Sequence, residues 1–189
     1  VLLYAPDGFG KTSVLMQYAR EAKGDCTRGS VRVIEADRAI GRDVFMQLEV
    51  VAEELKDKPH SLIAIDNVPV LDQRDTEDFI DMIRGLRAAG VGILLTCRPS
   101  NRLLIRGLGD SVKVNAQMLK VHAYEYSAWA SAFSISTSLD FYQLTQGVPE
   151  LVSALQTGLY GQGDVAQLLE NEIVNVYGAV LADLASLEN

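Results

Sequence analysis

The opening of the chain, Val1-Leu-Leu-Tyr-Ala-Pro-Asp-Gly-Phe-Gly-Lys-Thr-Ser-Val-Leu15, constrains the fold more than any other stretch. Val1 to Ala5 is a short apolar run that reads as a buried strand. It breaks into a turn at Pro6-Asp7-Gly8-Phe9-Gly10, and Lys11-Thr12 then opens an amphipathic helix. Strand, glycine-bearing turn and helix in direct succession is the context a phosphate-binding loop requires. Backbone N–H groups of the loop and the positive end of the helix converge on one anion. The spacing G-x-x-x-x-G-K-[ST] asks for glycine where this chain has Ala5. Alanine is tolerable there if the residue ends the strand with φ below zero, because Gly8 and Gly10 still supply the permissive positions. Gly8, Phe9, Gly10, Lys11, Thr12 and Ser13 are therefore the candidate nucleotide-binding residues. Lys11 would reach the β- and γ-phosphates, and the Thr12 hydroxyl would sit on Mg²⁺.

A chain of 189 residues can bury one good core with a small appended lobe. The net charge of −8 argues against this segment being the part that grips DNA or an anionic membrane. Cys26 and Cys97 fit no metal or disulfide spacing, which suits a reducing, cytoplasmic setting. No apolar run approaches the length of a membrane span, and no signal peptide is expected. Because the chain starts on Val1, already inside the first strand, it is expected to be a domain of a longer protein.

Periodicity predicts a first helix over about Lys11 to Ala22, burying Val14, Leu15, Tyr18, Ala19 and Ala22. Val31 to Ala36 is a second strand, and Asp43 caps a second helix with Val44, Phe45, Leu48, Val51, Ala52 and Leu55 inward. Pro59 closes that unit. Ser61-Leu-Ile-Ala-Ile-Asp66 is apolar at consecutive positions, the mark of a strand buried on both faces of a parallel sheet. Asp75-Thr76 starts a third helix with Phe79, Ile80, Ile83 and Leu86 on one side, ending at Ala89-Gly90. Gly92 to Cys97 is a fourth strand and Ser111 to Val114 a short fifth. This alternation specifies βαβ units with right-handed crossovers. From about Tyr124 the pattern is helix after helix: Tyr124 to Phe133, Leu139 to Gln146, one beginning at Pro149, and one from Asp164 to about Leu187. The expected division is an α/β core over residues 1–120 and a helical lobe over 121–189.

Asp66 ends a buried strand at the sheet edge where open α/β folds bind ligands. A carboxylate there fits the second half of a phosphate site, holding Mg²⁺ directly or through water; the alternative is a cap on the turn Asp66-Asn67. Many ATP hydrolases carry a glutamate at the next position as the base that polarises water. Asn67 has no such carboxylate, so binding with slow turnover is expected. Thr96-Cys97-Arg98-Pro99 ends the fourth strand, and the proline biases Arg98 to extended backbone. Arg98 would then project towards a γ-phosphate and distinguish ATP from ADP; the alternative is a surface arginine in a loop. The Asp72 to Asp81 acidic cluster fits a helix N-terminus better than a second metal site. Gly147-Val148-Pro149 is by itself an ordinary turn signal. His60 and His122 carry no motif, and Cys97, in a buried strand, is not expected to be a nucleophile.

Taken together these segments resemble the signal-transduction ATPases with numerous domains, a branch of the AAA-like P-loop ATPases. The likeness is greatest to the ATPase domains of large LuxR-type and maltose-activator-like bacterial transcription regulators. Ala5-Pro-Asp-Gly-Phe-Gly-Lys-Thr12 resembles their A-P-x-G-[YF]-G-K-T loop, and Ile63-Ala-Ile-Asp-Asn67 their Walker B strand, which usually carries a second acidic residue where Asn67 stands. Leu94-Leu-Thr-Cys-Arg-Pro99 is similar to the sensor segment ending in Ser-Arg, and Leu144-Thr-Gln-Gly-Val-Pro-Glu-Leu151 to the Gly-x-Pro motif of the helical lid, whose proline packs near the adenine. The resemblance covers residues 1 to about 158. It implies a parallel P-loop NTPase sheet in the order 5-1-4-3-2 followed by a small helical lid. It implies ATP or ADP with Mg²⁺ as cofactors, Lys11, Asp66 and Arg98 as catalytic or sensing residues, and Thr12 and Asp66 as Mg²⁺ ligands. Pro149 would be a nucleotide contact.

The expected function is an ATP/ADP-binding switch domain of a multidomain signalling or transcription regulator, a slow ATPase if it hydrolyses at all. Its partners would be nucleotide, effector and sensor domains elsewhere in the protein, and other copies in nucleotide-dependent self-association, with no direct DNA or membrane contact. Two alternatives stay open. A small-molecule P-loop kinase needs an acceptor site and usually an arginine-bearing lid, and no arginine follows residue 120. A degenerate interaction module would have lost nucleotide binding altogether.

Overall fold

β1 (Leu2–Tyr4), β2 (Val31–Glu35), β3 (Leu62–Val68), β4 (Gly92–Cys97) and β5 (Lys113–Asn115) form one parallel sheet in the order β2-β3-β4-β1-β5. This is the expected order read from the other edge. The structure is a computed structural model that describes residues 1–25, 29–36, 42–55, 58, 60–132, 142–143, 145–161, 167, 171–178 and 181. Cys26, Pro59, Phe133, Leu144, Asp164, Leu187 and the start of the helix expected from Leu139 lie outside the described residues. Contacts divide the chain into two compact units, Val1–Ala5 with Lys11–Val114, and Pro6–Gly10 with Asn115–Asn189.

In the first unit β3 is an inner strand, paired with β2 on one side and β4 on the other. Its continuous apolar run leaves every residue buried except Asn67, as expected for a strand covered on both faces. α1 (Lys11–Gly24) lies across β2, β3 and β4, burying Leu15, Ala19 and Ala22. Val44, Leu48 and Leu55 of α2 (Arg42–Leu55) join Phe79, Ile80, Ile83 and Leu86 of α3 (Gln73–Ala88) in the main core with Ile63, Ile65 and Leu95. Phe79 is fully buried and meets Phe45 edge-on at 5.9 Å. Each such side chain contributes about 1.5–3 kcal/mol on burial.

Several boundaries differ from expectation for physical reasons. Val14 and Tyr18 are exposed rather than buried. The inward positions of α1 run Lys11, Leu15, Ala19 and Ala22, so Val14 and Tyr18 fall at the margin of that stripe, beside an apolar cavity. α2 already includes Arg42, so Asp43 lies in its first turn instead of capping it. α3 begins at Gln73 because Asp72 is the N-cap: its carboxylate accepts the Asp75 N–H at 2.8 Å. β3 continues past Asp66 to Val68, and β5 is shifted to Lys113–Asn115. Two short helices, α4 (Arg102–Gly107) and α5 (Ala116–Leu119), are too brief for periodicity to mark.

The second unit contains α5, whose N-cap Asn115 accepts the N–H groups of Gln117 and Met118, with α6 (Ala123–Ala132) and α7 (Pro149–Gly161). Residues 171–178 are helical as well. Tyr126 and Leu155 are buried together, with Val121, Tyr142, Val152 and Ile173 packed around them. Gly147 has φ +70, its carbonyl accepts the Val121 N–H at 2.8 Å, and a Cβ there would run into the Val121 carbonyl oxygen. The glycine of Gly147-Val148-Pro149 is thus required by a backbone crossing within this unit.

Candidate functional site

The chemistry in the first unit gathers at the C-terminal ends of β3 and β4. Asp66 is buried, 8% exposed, and both of its carboxylate oxygens are held by hydroxyl donors. Thr12, in the first turn of α1, donates to Oδ2 at 2.8 Å, and Thr96 of β4 donates to Oδ1 at 2.6 Å. The Thr96 oxygen also accepts the Asn67 N–H at 2.6 Å. An amide N–H can only donate, so the hydroxyl proton is left for the carboxylate and the Thr96 hydroxyl is used in both directions. Thr96 is fully buried, which removes competition from water.

Asn67 has φ +56 and sits where the β3–β4 register shifts between Ile65 and Val68. This left-handed residue is a bulge that turns its N–H onto Thr96. Asparagine is among the few non-glycine residues that adopt this conformation readily. Lys11 is buried at the start of α1. Ser13 is exposed and, with Thr12, Met16, Gln17 and Arg20, lines an open cleft of about 610 Å³.

Arg98 is exposed directly after β4. Its carbonyl accepts the N–H of Asn101 at 3.1 Å. The Asn101 side chain, 2% exposed, donates from Nδ2 to the carbonyls of Pro69 at 2.8 Å and Val68 at 3.4 Å. Burial pushes the Cys97 thiol up to about 12, against the opposing pull of the Lys11 charge. A thiol so fully protonated at neutral pH is no nucleophile.

The loop Pro6–Gly10 belongs to the second unit. Gly8 and Gly10 have φ of +83 and +73, whereas Ala5 is not among the positive-φ residues. Ala5 is fully buried, and because it is not in the positive-φ region, alanine at the first loop position meets no left-handed strain. Phe9 is buried. The Gly8 carbonyl accepts the Glu150 N–H at 3.1 Å, and a Cβ placed on Gly10 would lie 3.6 Å from Pro149 Cβ. A Cβ on Gly8 would collide with Glu150 Oε2. Pro149 and Glu150, the first residues of α7, thus pack directly on the loop.

Sequence reasoning brought Thr12 and Asp66 together but gave no separate role to Thr96, Asn101 or Glu150. A threonine inside an otherwise apolar buried strand was the available signal for Thr96, since buried hydroxyls need partners. The apolar cavity, of about 640 Å³, lies at the other end of the strands, lined by Leu2, Leu62, Gly92 and Val112. The charges on its rim, Arg87 and Asp110, are engaged with each other at 3.0 Å. The remaining acidic cluster borders Arg74 and Phe45, and among the described residues no group of three metal-ligating side chains is present.

A five-stranded parallel sheet in this order with flanking helices resembles the fold of AAA-type P-loop ATPase domains. Solved structures bear out the fold. The replication initiator DnaA bound to AMPPCP and single-stranded DNA matches with a TM-score of 0.62 at 16% identity, over 93% of this chain and 58% of that one. The FIGL-1 AAA domain in complex with ADP matches at 0.53 and 16% identity, over 83% and 60%. A katanin structure described for its self-assembly matches at 0.53 and 16% identity, over 88% and 60%. The chain therefore spans less than two thirds of the length of each of these proteins. No protein-family model and no curated protein sequence matches it.

Proposed function

We propose that this chain is an ATP/ADP-binding switch domain of a multidomain signalling or transcription regulator, of the LuxR-type and maltose-activator-like class its motifs resemble. The carrying observation is the 2.8 Å hydrogen bond from Thr12 to Asp66, which joins the glycine-loop helix to the acidic strand end. A hydroxyl and a carboxylate are the hard oxygen donors Mg²⁺ takes, and Mg²⁺ completes such a set with phosphate oxygens and water. Thr12 and Asp66 would hold the ion, which neutralises phosphate charge. Gly8, Phe9, Gly10, Lys11, Thr12 and Ser13 would bind the phosphates, Pro149 the adenine side, and Arg98 the γ-phosphate. With Asn67 in place of a carboxylate, hydrolysis is slow.

Residues 1–120 would act as the nucleotide core and 121–189 as the lid. The Pro149 and Glu150 contacts on the loop support a lid that responds to what the loop holds. Exchange of ADP for ATP would shift the population between lid states by differential contacts to the γ-phosphate. Self-association in the ATP state is in keeping with the self-assembly described for katanin, and nucleotide binding with the AMPPCP and ADP of DnaA and FIGL-1.

The test is to extract the purified protein for bound ADP or ATP, then titrate both with Mg²⁺ by calorimetry in wild type and Lys11→Ala. Binding in wild type that is lost in Lys11→Ala is the expected result. Absence of binding to either nucleotide would overturn the reading.

A further inference from the structure

The turn that carries Arg98 is not anchored by β4 alone. Before it, Thr96 is bonded to the Asp66 carboxylate and to the Asn67 N–H. After it, Asn101 is bonded through Nδ2 to the Pro69 and Val68 carbonyls, while its own N–H closes back onto the Arg98 carbonyl. The segments 66–69 and 96–101 are therefore tied at both ends, with Arg98 slung between the ties. Asn101 is 2% exposed and Thr96 fully buried, so both ties are shielded from water. A buried amide with two carbonyl acceptors has a fixed orientation. Asn101 thus reaches across to the strand-end backbone after Asp66 with its side chain and holds the Arg98 carbonyl with its own N–H.

We infer that Asn101 is a positioning residue that fixes the Arg98 turn against the segment following Asp66, so that the arginine and the Mg²⁺-side carboxylate act as one unit in telling ATP from ADP. The inference rests on the nucleotide-binding reading above and extends it to a residue that would touch neither nucleotide nor metal. Serine at 101 keeps a residue suited to the start of α4 and removes the amide that reaches Pro69. Aspartate keeps the volume but has no donor when ionised.

The experiment measures Mg²⁺-ATP and Mg²⁺-ADP dissociation constants by calorimetry for wild type, Asn101→Ser, Arg98→Ala and the double variant, with a thermal melt of each. Asn101→Ser should melt cooperatively and bind ADP within about threefold of wild type. Its preference for ATP should fall by about tenfold, as expected when one charge-assisted contact is misplaced. Because both changes act through the same contact, the double variant should lose no more than Arg98→Ala alone. If Asn101→Ser does not fold, Asn101→Asp is compared in the same way.

A residue with a structural role only would lower the melting temperature and leave the ATP/ADP ratio unchanged, and that result overturns the inference. So does simple addition of the two losses in the double variant. Failure of wild type to bind either nucleotide would instead refute the nucleotide reading itself, and the inference falls with it. Binding by wild type with an Arg98→Ala ratio equal to wild type would refute the role of Arg98 and, with it, the role of Asn101.

Discussion

Replacing Thr96 by valine removes one oxygen and almost no volume, so no cavity term enters. Two interactions are lost at once. The first is a hydroxyl bond to an ionised carboxylate at 2.6 Å, worth about 1.5–3 kcal/mol. The second is the acceptor for the Asn67 N–H at 2.6 Å; a buried amide left without a partner costs about 1–3 kcal/mol. Asp66 keeps its second hydroxyl donor, Thr12, which limits the damage to the carboxylate. The expected loss is about 3 kcal/mol, a large share of the ~5–15 kcal/mol typical of a domain. In a chain of this size that lowers the melting temperature by about 6–12 °C.

Thr76 provides an internal control. It is also buried, and its hydroxyl donates to the Asp72 carbonyl at 2.6 Å. That bond is neutral and intrahelical, so Thr76→Val should cost only about 1 kcal/mol. Urea unfolding followed by circular dichroism gives both values. Should Thr96→Val cost no more than Thr76→Val, the Thr96 hydroxyl is not holding Asp66 and Asn67 as argued.

Two further predictions concern the same strand ends. At Asn67, with φ +56, glycine should be tolerated within about 0.5 kcal/mol, whereas glutamate should cost at least about 1 kcal/mol because a longer L side chain is strained there; urea unfolding of Asn67→Gly and Asn67→Glu decides, and equal stability of the two would refute the strain. The Cys97 thiol, pushed up to about 12 by burial, should resist exchange with a chromogenic disulfide at pH 8 in native Cys26→Ser protein and react on unfolding, forming a mixed disulfide and releasing the coloured thiolate. The unfolded thiol ionises near pH 9 while the folded one keeps its proton, so this group's contribution is intact below about pH 9 and falls by up to ~1.4 kcal/mol per pH unit above it. Wild type and Cys97→Ala, compared by urea unfolding at pH 8 and 10, should therefore differ in slope.

Much of the sheet was legible because its signals are local. β4 is found where its apolar run lies, and α1 starts at Lys11 where the glycine turn ends. Consecutive burial in β3 followed from a sequence without alternation. Legibility failed where the deciding interaction was distant. Nothing near Val14 or Tyr18 says that the inward stripe of α1 passes one position to the side. The tie from Asn101 to Pro69 spans 32 positions and depends on two strand ends lying side by side, which periodicity cannot encode.

Asn67 marks the boundary between the two kinds of knowledge. Read as a letter, it is a missing carboxylate, and the consequence is chemical: no general base beside Asp66. Read as a backbone, it is a left-handed residue in a strand bulge whose N–H is delivered to Thr96. The second reading supplies a cause that the first lacks. A side chain able to take up φ +56 at small cost is what the bulge requires, and asparagine meets that requirement where glutamate does so poorly. The conformation that orients the Asp66 carboxylate through Thr96 thus disfavours glutamate at position 67.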